Sequence, residues 1–299
     1  MKLDERVELA PIILFAYNRP WHTKKTVEAL QKNSLASESE LFIYSDAAKN
    51  ETAEQAVKEV RKYIHSIDGF KTITVVEQDK NMGLADSIID GVTSVVNRYG
   101  KVIVLEDDLV TSPHFLKFMN DALDFYQDKK KVWHISGWNY PISSDGLDDV
   151  FLWRAMNCWG WGTWSDRWQF FEKDTDSIIK NFSKEDIKSF NLDGAEDFFG
   201  QVIANDKQVI DTWAIFWYAT IFLKKGLCLN PVKTFVDNIG IDGSGVNCRN
   251  KKSYEDNLNM NDDIKLQLTF VESADCVSRV KSVLDSSFLQ RMLRKLLWR

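Results

Sequence analysis

The sequence predicts an α/β fold whose central sheet is mainly parallel and doubly wound. From residue 11 to residue 125, short apolar runs of strand length alternate with longer segments whose apolar residues recur at helical spacing. Such alternation implies parallel strands with helices on both faces of the sheet. The run at 102–105 is also too apolar to have a solvated face, as expected for a strand under two layers of helix.

The elements follow one another in a regular order. Strands are predicted at residues 11–17, 40–46, 71–79 and 101–108. Helices are predicted between them at residues 23–33, 51–67 and 83–100, each with one apolar stripe. A fourth helix follows the last strand, and we expect Ser112 to be its N-cap with Pro113 in its first turn.

Three consecutive acidic residues follow the fourth strand. Glu106, Asp107 and Asp108 come directly after the apolar run 102–105. Neighbouring carboxylates repel one another, and burial without a partner is costly. The triplet therefore either lies in solvent at the end of the strand or faces a cation. Ligands of such sheets bind beyond the carboxyl ends of strands, and Mg²⁺ or Mn²⁺ prefers oxygen ligands. The sequence carries neither a P-loop nor GxGxxG, so a metal would supply the positive charge for a diphosphate.

Composition excludes several classes of protein. A net charge of -6 argues against general nucleic-acid binding. The chain has no apolar stretch long enough to span a membrane and no signal-peptide pattern in its first 20 residues. The four cysteines show no zinc-ligand spacing, and we expect reduced thiols in a cytoplasmic protein.

Several segments resemble N-acetylglucosaminyltransferase I and related bacterial sugar transferases of the GT-A fold. "EDDL" at 106–109 resembles their DxD motif, and it is followed by a Pro-capped aromatic helix and by "SGWN" at 136–139. "FAYNRP" at 15–20 and "YSDAAKN" at 44–50 resemble their first two strands. A distal "IDTW…NP…NIG" block completes the resemblance, which runs from about residue 11 to residue 248 with an apparent insertion at 169–205.

The resemblance implies an inverting, metal-dependent transferase that uses a UDP-sugar. It implies the following nucleotide-sugar-binding residues: Tyr17, Arg19, Asp46, Glu106 and Asp107. Arg19 and Asp46 would hold the uridine, with Asp46 accepting from the ring N–H, and Asp108 would be the direct ligand of Mn²⁺ or Mg²⁺. The alternatives are that Arg19 is only a turn residue and that Asp46 only caps the next helix.

One position departs from the family pattern. Related enzymes tend to carry a metal-binding His near the position of Asn247, and Asn is a weaker ligand for Mn²⁺. The departure indicates looser metal binding, a site made mostly by the diphosphate, or an impaired enzyme. A non-catalytic carbohydrate-binding homologue is therefore the main alternative function. A nucleotidyltransferase is less favoured, because "FAYNRPWHTKK" lacks a Gly-rich basic loop.

The second half should bind the acceptor and supply a base. Alternating Gly and Trp at 158–168 predict a loop that brings ring faces near a sugar, with indole packing under a loop as the alternative. The predicted acceptor-binding residues are Trp138, Asn139, Trp159, Trp161 and Trp164. Inversion needs a carboxylate base. The resemblance favours Asp211, expected to cap an aromatic helix at 211–226, over Asp197; Asp166, Glu196 and Asp206 are further candidates.

The C-terminal residues carry a separate pattern. Residues 288–299 alternate apolar and basic side chains and include a Trp, which is typical of a helix on an anionic bilayer surface. A docking helix or a disordered tail is the alternative. We therefore expect three regions: a nucleotide-sugar-binding half at 1–140, an acceptor-binding and catalytic half of the same domain at 141–250, and an extension at 251–299. With the membrane interpretation, the protein lies at the inner face of the membrane, the acceptor is a lipid-linked saccharide, and the process is surface polysaccharide synthesis.

Overall fold

The computed structural model of the chain describes residues 8–243 and 258–297, with side chains up to residue 285. Its strands are β1 Ile12–Ala16, β2 Glu40–Ser45, β3 Thr72–Glu77, β4 Lys101–Glu106, β5 Leu109–Thr111, β6 Val132–Ser136, β7 Val150–Trp153, β8 Trp161–Trp164, β9 Leu227–Pro231 and β10 Val236–Asn238. Its helices are α1 Pro20–Gln31, α2 Glu51–Ile64, α3 Leu84–Tyr99, α4 Phe115–Tyr126, α5 Ser165–Trp168, α6 Thr175–Asn181, α7 Lys184–Phe190, α8 Phe198–Asp206, α9 Ala214–Leu223 and α10 Ala274–Leu297.

The main sheet has the strand order β3-β2-β1-β4-β8-β6-β9-β7. The first four of these strands are parallel, β8 runs antiparallel to both of its neighbours, and β9 is parallel to β6. The edge strand β7 is antiparallel to β9, and β10 pairs with β5 in a separate two-stranded sheet. The predicted mainly parallel α/β fold is confirmed.

Helices cover both faces of the sheet, as the apolar strands predict. Along β1, Ile13 and Phe15 pack in the same core as Ile88 of α3, whereas Ile12 and Leu14 belong to the core on the other face. Successive side chains of a strand point to opposite faces, so a strand buried on both sides must be apolar throughout. The four predicted strands and the helices between them are present within a few residues of their predicted ends.

The predicted N-cap of α4 is wrong. The helix begins at Phe115, and His114 rather than Ser112 occupies the position before it. Ser112 instead ends the extended segment of β5, because its N–H donates to the Phe235 carbonyl at 2.8 Å. Its own carbonyl then accepts from the Phe115 N–H at 3.1 Å, which closes a turn through Pro113. Because Ser112 is paired with Phe235 in this way, α4 begins three residues after the predicted N-cap.

The predicted Gly-Trp loop is also wrong, because Trp161–Trp164 is a central strand of the sheet. The side chains of Trp161 and Trp164 are 1% and 2% exposed and lie in the cores on opposite faces. Gly162 shows why a glycine lies between the tryptophans of this strand. A Cβ at Gly162 would lie 2.8 Å from the Val102 carbonyl oxygen and 3.1 Å from Cε of Met119, so only glycine lets β8 and α4 pack this closely.

We expect Gly162→Ala to lower the free energy of unfolding by about 1–3 kcal/mol, the usual cost of overpacking a core. The added methyl group meets backbone of β4, which cannot move without disturbing the ladder. Urea denaturation followed by tryptophan fluorescence measures the change. An unchanged midpoint would show that α4 and β4 separate without cost.

Both predicted halves of the domain contribute to one sheet, since β4 pairs with β8. The boundaries at 140 and 250 stay a prediction. In the C-terminal extension, Asn259 is buried and its N–H donates to the Thr234 carbonyl, and the first turns of α10 bury Cys276 and Val280. Among the described residues, no helix has both the length and the apolar character needed to cross a membrane. Trp298 and Arg299 lie outside the described residues.

Candidate functional site

The ends of three parallel strands bring the predicted donor-site residues together. The register of β1 pairs Phe15 with Glu106 on β4 and Ala16 with Ser45 on β2. The loops that follow therefore start side by side at the carboxyl edge of the sheet. They carry the following residues: Tyr17, Arg19, Asp46, Asp107 and Asp108.

The acidic triplet lies below the surface rather than in open solvent. Asp107 and Asp108 are 8% and 9% exposed, and Glu106 is half-buried. Burial, with the charges of the neighbouring Asp residues, raises the pKa of Glu106 to about 8 and that of Asp107 to about 7, against an opposing effect of Arg19. Both terminal nitrogens of Arg19 lie 3.0 Å from Oδ2 of Asp108. One guanidinium thus faces three carboxylates, and the site is short of positive charge.

The distal "NIG" segment closes against the triplet. The Ile239 N–H donates to the carbonyl of Asp108 at 2.9 Å. A Cβ on Gly240 would lie 2.0 Å from Oδ2 of Asp108 and 2.6 Å from Nη2 of Arg19, so a side chain here would disrupt the pair. His22 of α1 contacts the residues that follow this segment, with Nε2 3.0 Å from Oδ2 of Asp242. Neither Gly240 nor His22 was predicted from the sequence; the glycine between Ile239 and Ile241 was the available signal.

Asp46 is saturated by protein donors. Its Oδ1 accepts from the N–H groups of Ala47 and Met82 at 2.8 and 2.9 Å. Its Oδ2 accepts from the Asn81 amide and the Gly83 N–H, both at 2.9 Å. A carboxylate offers about four acceptor sites, so these bonds fill it. Asp46 therefore fixes the β3–α3 loop, and a bond to a uracil N–H would require that one of them be given up.

Asp46 does not cap the following helix. Asn50 is the N-cap of α2, and its side chain accepts from the Ala53 N–H at 3.2 Å. Tyr17 joins the same region: its N–H donates to Oδ2 of Asp107 at 3.3 Å, and its hydroxyl accepts from the Lys49 N–H at 3.0 Å. The loops after β1 and β2 are thereby tied to the triplet.

The predicted acceptor residues separate into two groups. Trp138 follows β6 and Trp159 precedes β8, and the Gly137 N–H donates to the Gly160 carbonyl between them. Their rings are half-buried and meet edge to face with centroids 4.6 Å apart. Because Trp161 pairs with Val104, this pair lies at the same edge as the triplet.

The other three predicted acceptor residues are in the core, and this part of the prediction is wrong. Trp161 and Trp164 present no face to a sugar, because β8 is a central strand with helices on both sides. Asn139 is 2% exposed, and its amide donates to the Val232 carbonyl at 3.0 Å. Indole packing, the alternative interpretation, is what the structure shows for Trp161 and Trp164.

Asp211 lies near the carboxyl edge of the sheet but does not cap a helix. The aromatic helix α9 begins at Ala214 with Trp213 in the N-cap position, so the predicted cap is wrong. Trp213 is buried and stacks on Trp161 at 5.0 Å, which determines where the helix starts. The exposed carboxylate of Asp211 pairs with Nζ of Lys173 at 2.5 Å. The same nitrogen lies 3.8 Å from Asp86 in the first turn of α3, which places Asp211 at the carboxyl edge.

A cleft of about 520 Å³ opens beside Asp211. It is lined by Lys173, Thr175, Asn205, Gln208, Val209, Ile210, Asp211 and Phe216. Its walls combine amide, hydroxyl and charged groups with apolar side chains, and Val209 is 73% exposed. Such a mixture suits a saccharide, which has both hydroxyl groups and apolar faces.

The other candidate bases have local partners. Asp197 is the N-cap of α8 and accepts from the Gly200 N–H at 3.0 Å. Asp206 accepts from the hydroxyl of Thr175 at 3.1 Å. Asp166 pairs with Lys130 and Arg167, both at 2.6 Å, and follows β8 at the edge where β4 begins, opposite the triplet.

The side chains around the triplet suit a divalent cation for which a bound substrate supplies most of the ligands. Among residues 8–243 and 258–285, whose side chains the structure describes, no three His, Cys, Asp or Glu side chains are grouped as a metal site. Asp108 offers a buried carboxylate oxygen at the carboxyl edge of the sheet, and Nε of Arg19 is buried without an acceptor among the described residues. A diphosphate would supply oxygen ligands for Mg²⁺ or Mn²⁺ together with an acceptor for that N–H. Asn247 lies outside the described residues.

Several solved structures are similar to the chain. They include TarS 1-349 of S. aureus, with 12% identity, a TM-score of 0.42 and coverage of 76% of this chain and 59% of that one. The mannosyltransferase PcManGT from Pyrobaculum calidifontis, in complex with GDP-Man and Mn²⁺, has 11% identity, a TM-score of 0.40 and 73% coverage of each chain. An active-site mutant of LgtC has 10% identity, a TM-score of 0.36 and coverage of 71% of this chain and 70% of that one. The chain thus spans 59% of the length of TarS 1-349. No match to a curated protein was found.

The family match includes the strands and helices that carry the predicted nucleotide-sugar-binding residues. The model of the GNT-I family matches residues 1–173, which include the triplet, both tryptophans of the half-buried pair and strand β8. The match confirms the resemblance stated from "EDDL" and "SGWN", and the sheet confirms the predicted GT-A class of fold. The chain belongs to the GNT-I family.

Proposed function

We propose that this protein is an inverting glycosyltransferase that transfers a sugar from a UDP-sugar to a saccharide or lipid-linked saccharide acceptor. One observation carries the proposal: three carboxylates face a single guanidinium at the carboxyl edge of the sheet, where Asp211 also lies. The acidic triplet with Arg19 suits a metal-bound diphosphate, and Asp211 supplies a base on the acceptor side.

On the donor side, each residue has a distinct task. Asp108 would hold Mn²⁺ or Mg²⁺, which acts as a Lewis acid for the departing UDP. Arg19 offers donors to a phosphate oxygen, and Tyr17 and Asp46 hold the loops around the nucleotide. Glu106 and Asp107 place two further acidic groups beside Asp108, and a bound cation would favour their ionised forms. Gly240 leaves room for the ion pair of Arg19 with Asp108.

On the acceptor side, Asp211 would take the proton of the acceptor hydroxyl. It is exposed beside the cleft, so a hydroxyl can reach it, and Lys173 fixes its orientation through the ion pair. Trp138 and Trp159 offer half-buried ring surfaces at the same edge, which suit an apolar sugar face. Trp213 connects the two parts, because it stacks on the strand that pairs with β4.

The test is UDP release from a panel of UDP-sugars with Mn²⁺, with and without EDTA. We expect metal-dependent release from one or a few of the sugars, faster when cell-surface saccharide fractions are added. A nucleotidyltransferase would release pyrophosphate from a nucleoside triphosphate instead. A non-catalytic homologue would bind the UDP-sugar without releasing UDP, and that result would reject the proposed activity.

Membrane contact through residues 288–299 belongs to the same proposal, with surface polysaccharide synthesis as the process. We expect deletion of these residues to leave the protein folded and to lower its binding to anionic liposomes. Four basic residues lie in the segment, and each should add roughly 1 kcal/mol near an anionic surface. Co-sedimentation with phosphatidylserine vesicles at low salt measures the effect.

A matched variant separates charge from helix length. Replacing Arg291, Arg294, Lys295 and Arg299 by Gln keeps the apolar residues and should lower binding as the deletion does. Equal sedimentation of all three proteins would assign the segment to packing instead.

A further inference from the structure

We propose that Arg19 competes with the metal for Asp108, so that the metal binds strongly only when a nucleotide diphosphate is present. The inference rests on the proposed function, since it takes Asp108 as the metal ligand. It adds a task for Arg19 beyond contacting the nucleotide: the side chain is the resident counter-ion of the site and exchanges partners when the donor arrives.

The geometry of the pair carries the first step. Both terminal nitrogens of Arg19 lie 3.0 Å from the same oxygen, Oδ2 of Asp108, and the two side chains are 17% and 12% exposed. Gly240 covers the same oxygen, because even a Cβ there would lie 2.0 Å from it. A metal cannot reach Oδ2 while Arg19 occupies it. A cation bound to Oδ1 instead would lie beside the guanidinium, and like charges repel.

The unsatisfied donor of Arg19 carries the second step. Its Nε–H is buried and has no acceptor among the residues that the structure describes. A guanidinium binds phosphate oxygens in a planar, two-bonded geometry, and leaving a buried donor unpaired is unfavourable. A diphosphate therefore gives Arg19 a better set of partners than the single oxygen of Asp108 does.

The third step combines the two. When Arg19 moves to the diphosphate, Asp108 loses its counter-ion within a group of three acids, and a divalent cation can replace it. The same diphosphate then supplies further oxygen ligands for the cation. Nucleotide and metal thus favour each other's binding, and thermodynamic linkage requires this coupling to be equal in both directions.

The experiment titrates Mn²⁺ alone, UDP alone, and Mn²⁺ in the presence of UDP, by electron paramagnetic resonance of free Mn²⁺ and by calorimetry. In the wild-type protein we expect weak Mn²⁺ binding without UDP and at least tenfold tighter binding with it. In Arg19→Met we expect Mn²⁺ alone to bind at least tenfold tighter than in the wild type. We expect UDP alone to bind more weakly, and UDP to increase the affinity for Mn²⁺ by a smaller factor than in the wild type. Arg19→Gln tests the same loss of charge if the Met variant does not fold.

Two further variants separate the outcomes. Arg98→Met makes the same charge change in the last turn of α3, next to the start of β4 and away from the carboxyl ends of the strands, and should leave Mn²⁺ affinity at the wild-type value. Asp108→Asn should remove Mn²⁺ binding. Unchanged or weaker Mn²⁺ binding in Arg19→Met, with binding still lost in Asp108→Asn, would overturn the competition while keeping the metal site. Full Mn²⁺ binding in Asp108→Asn with UDP would instead reject the proposed metal site itself.

Discussion

Asp108→Asn is expected to reduce turnover to the level that EDTA leaves in the wild-type protein. Asn keeps the shape of the side chain but removes the negative charge, so a divalent cation loses its protein ligand. UDP binding should therefore weaken when Mn²⁺ is present. It should not weaken when Mn²⁺ is absent, because Arg19 is then free to bind the diphosphate. Initial rates of UDP release and calorimetric titrations with UDP, each with Mn²⁺ and with EDTA, measure the two effects.

The folded protein should tolerate this change. Asp108 loses an ion pair with Arg19, but the repulsion among the three acids of the triplet falls as well. Asp121→Asn is a matched control, because it makes the same chemical change in an exposed pair with Lys117 on α4. If Asp108→Asn keeps full metal-dependent activity, the triplet has no role in metal binding.

Asp211→Asn is expected to lower transfer by roughly 10²- to 10⁴-fold, the usual contribution of a general base. Asn has no basic oxygen that can take the proton of the acceptor hydroxyl. UDP binding should not change, because Asp211 lies on the acceptor side. The melting temperature should stay close to that of the wild type, since an exposed ion pair such as that with Lys173 contributes about 0–1 kcal/mol.

Lys173→Met is the control for this prediction, because it breaks the same ion pair but leaves the carboxylate in place. A far smaller loss of transfer in Lys173→Met than in Asp211→Asn would assign the effect to the base. Near-normal transfer in Asp211→Asn would move the role to Asp197. Since Asn caps helices as well as Asp does, Asp197→Asn keeps the start of α8 and tests that role without unfolding it.

Local patterns were enough to predict the nucleotide-side half of the fold. Helical and strand periods are properties of short segments, so the strands β1 to β4 and their helices could be identified without knowledge of their neighbours. The position of the acidic triplet followed as well, because the carboxyl ends of parallel strands meet at one edge. The motifs "EDDL" and "SGWN" then pointed to the family that residues 1–173 match.

The second half could not be predicted in the same way. Tryptophan favours strands and glycine disfavours them, so "WGWGTW" gives no clear signal. Strand β8 forms because β4 and β6 lie on either side of it. Gly162 is required by Val102 and Met119, which are distant in sequence. The start of α9 depends likewise on the stacking of Trp213 on Trp161, which overrides the capping signal of Asp211.

The sequence by itself determined the α/β class, the order of the nucleotide-side elements and the acidic edge of the sheet. Only the tertiary structure decided which groups meet near that edge. Arg19 meets Asp108 across 89 residues, Asp211 meets Lys173 across 38, and Gly240 comes from a third segment. The physical reason is that secondary structure follows from neighbours along the chain, whereas ion pairs and close contacts depend on strand order and packing, which bring remote segments together.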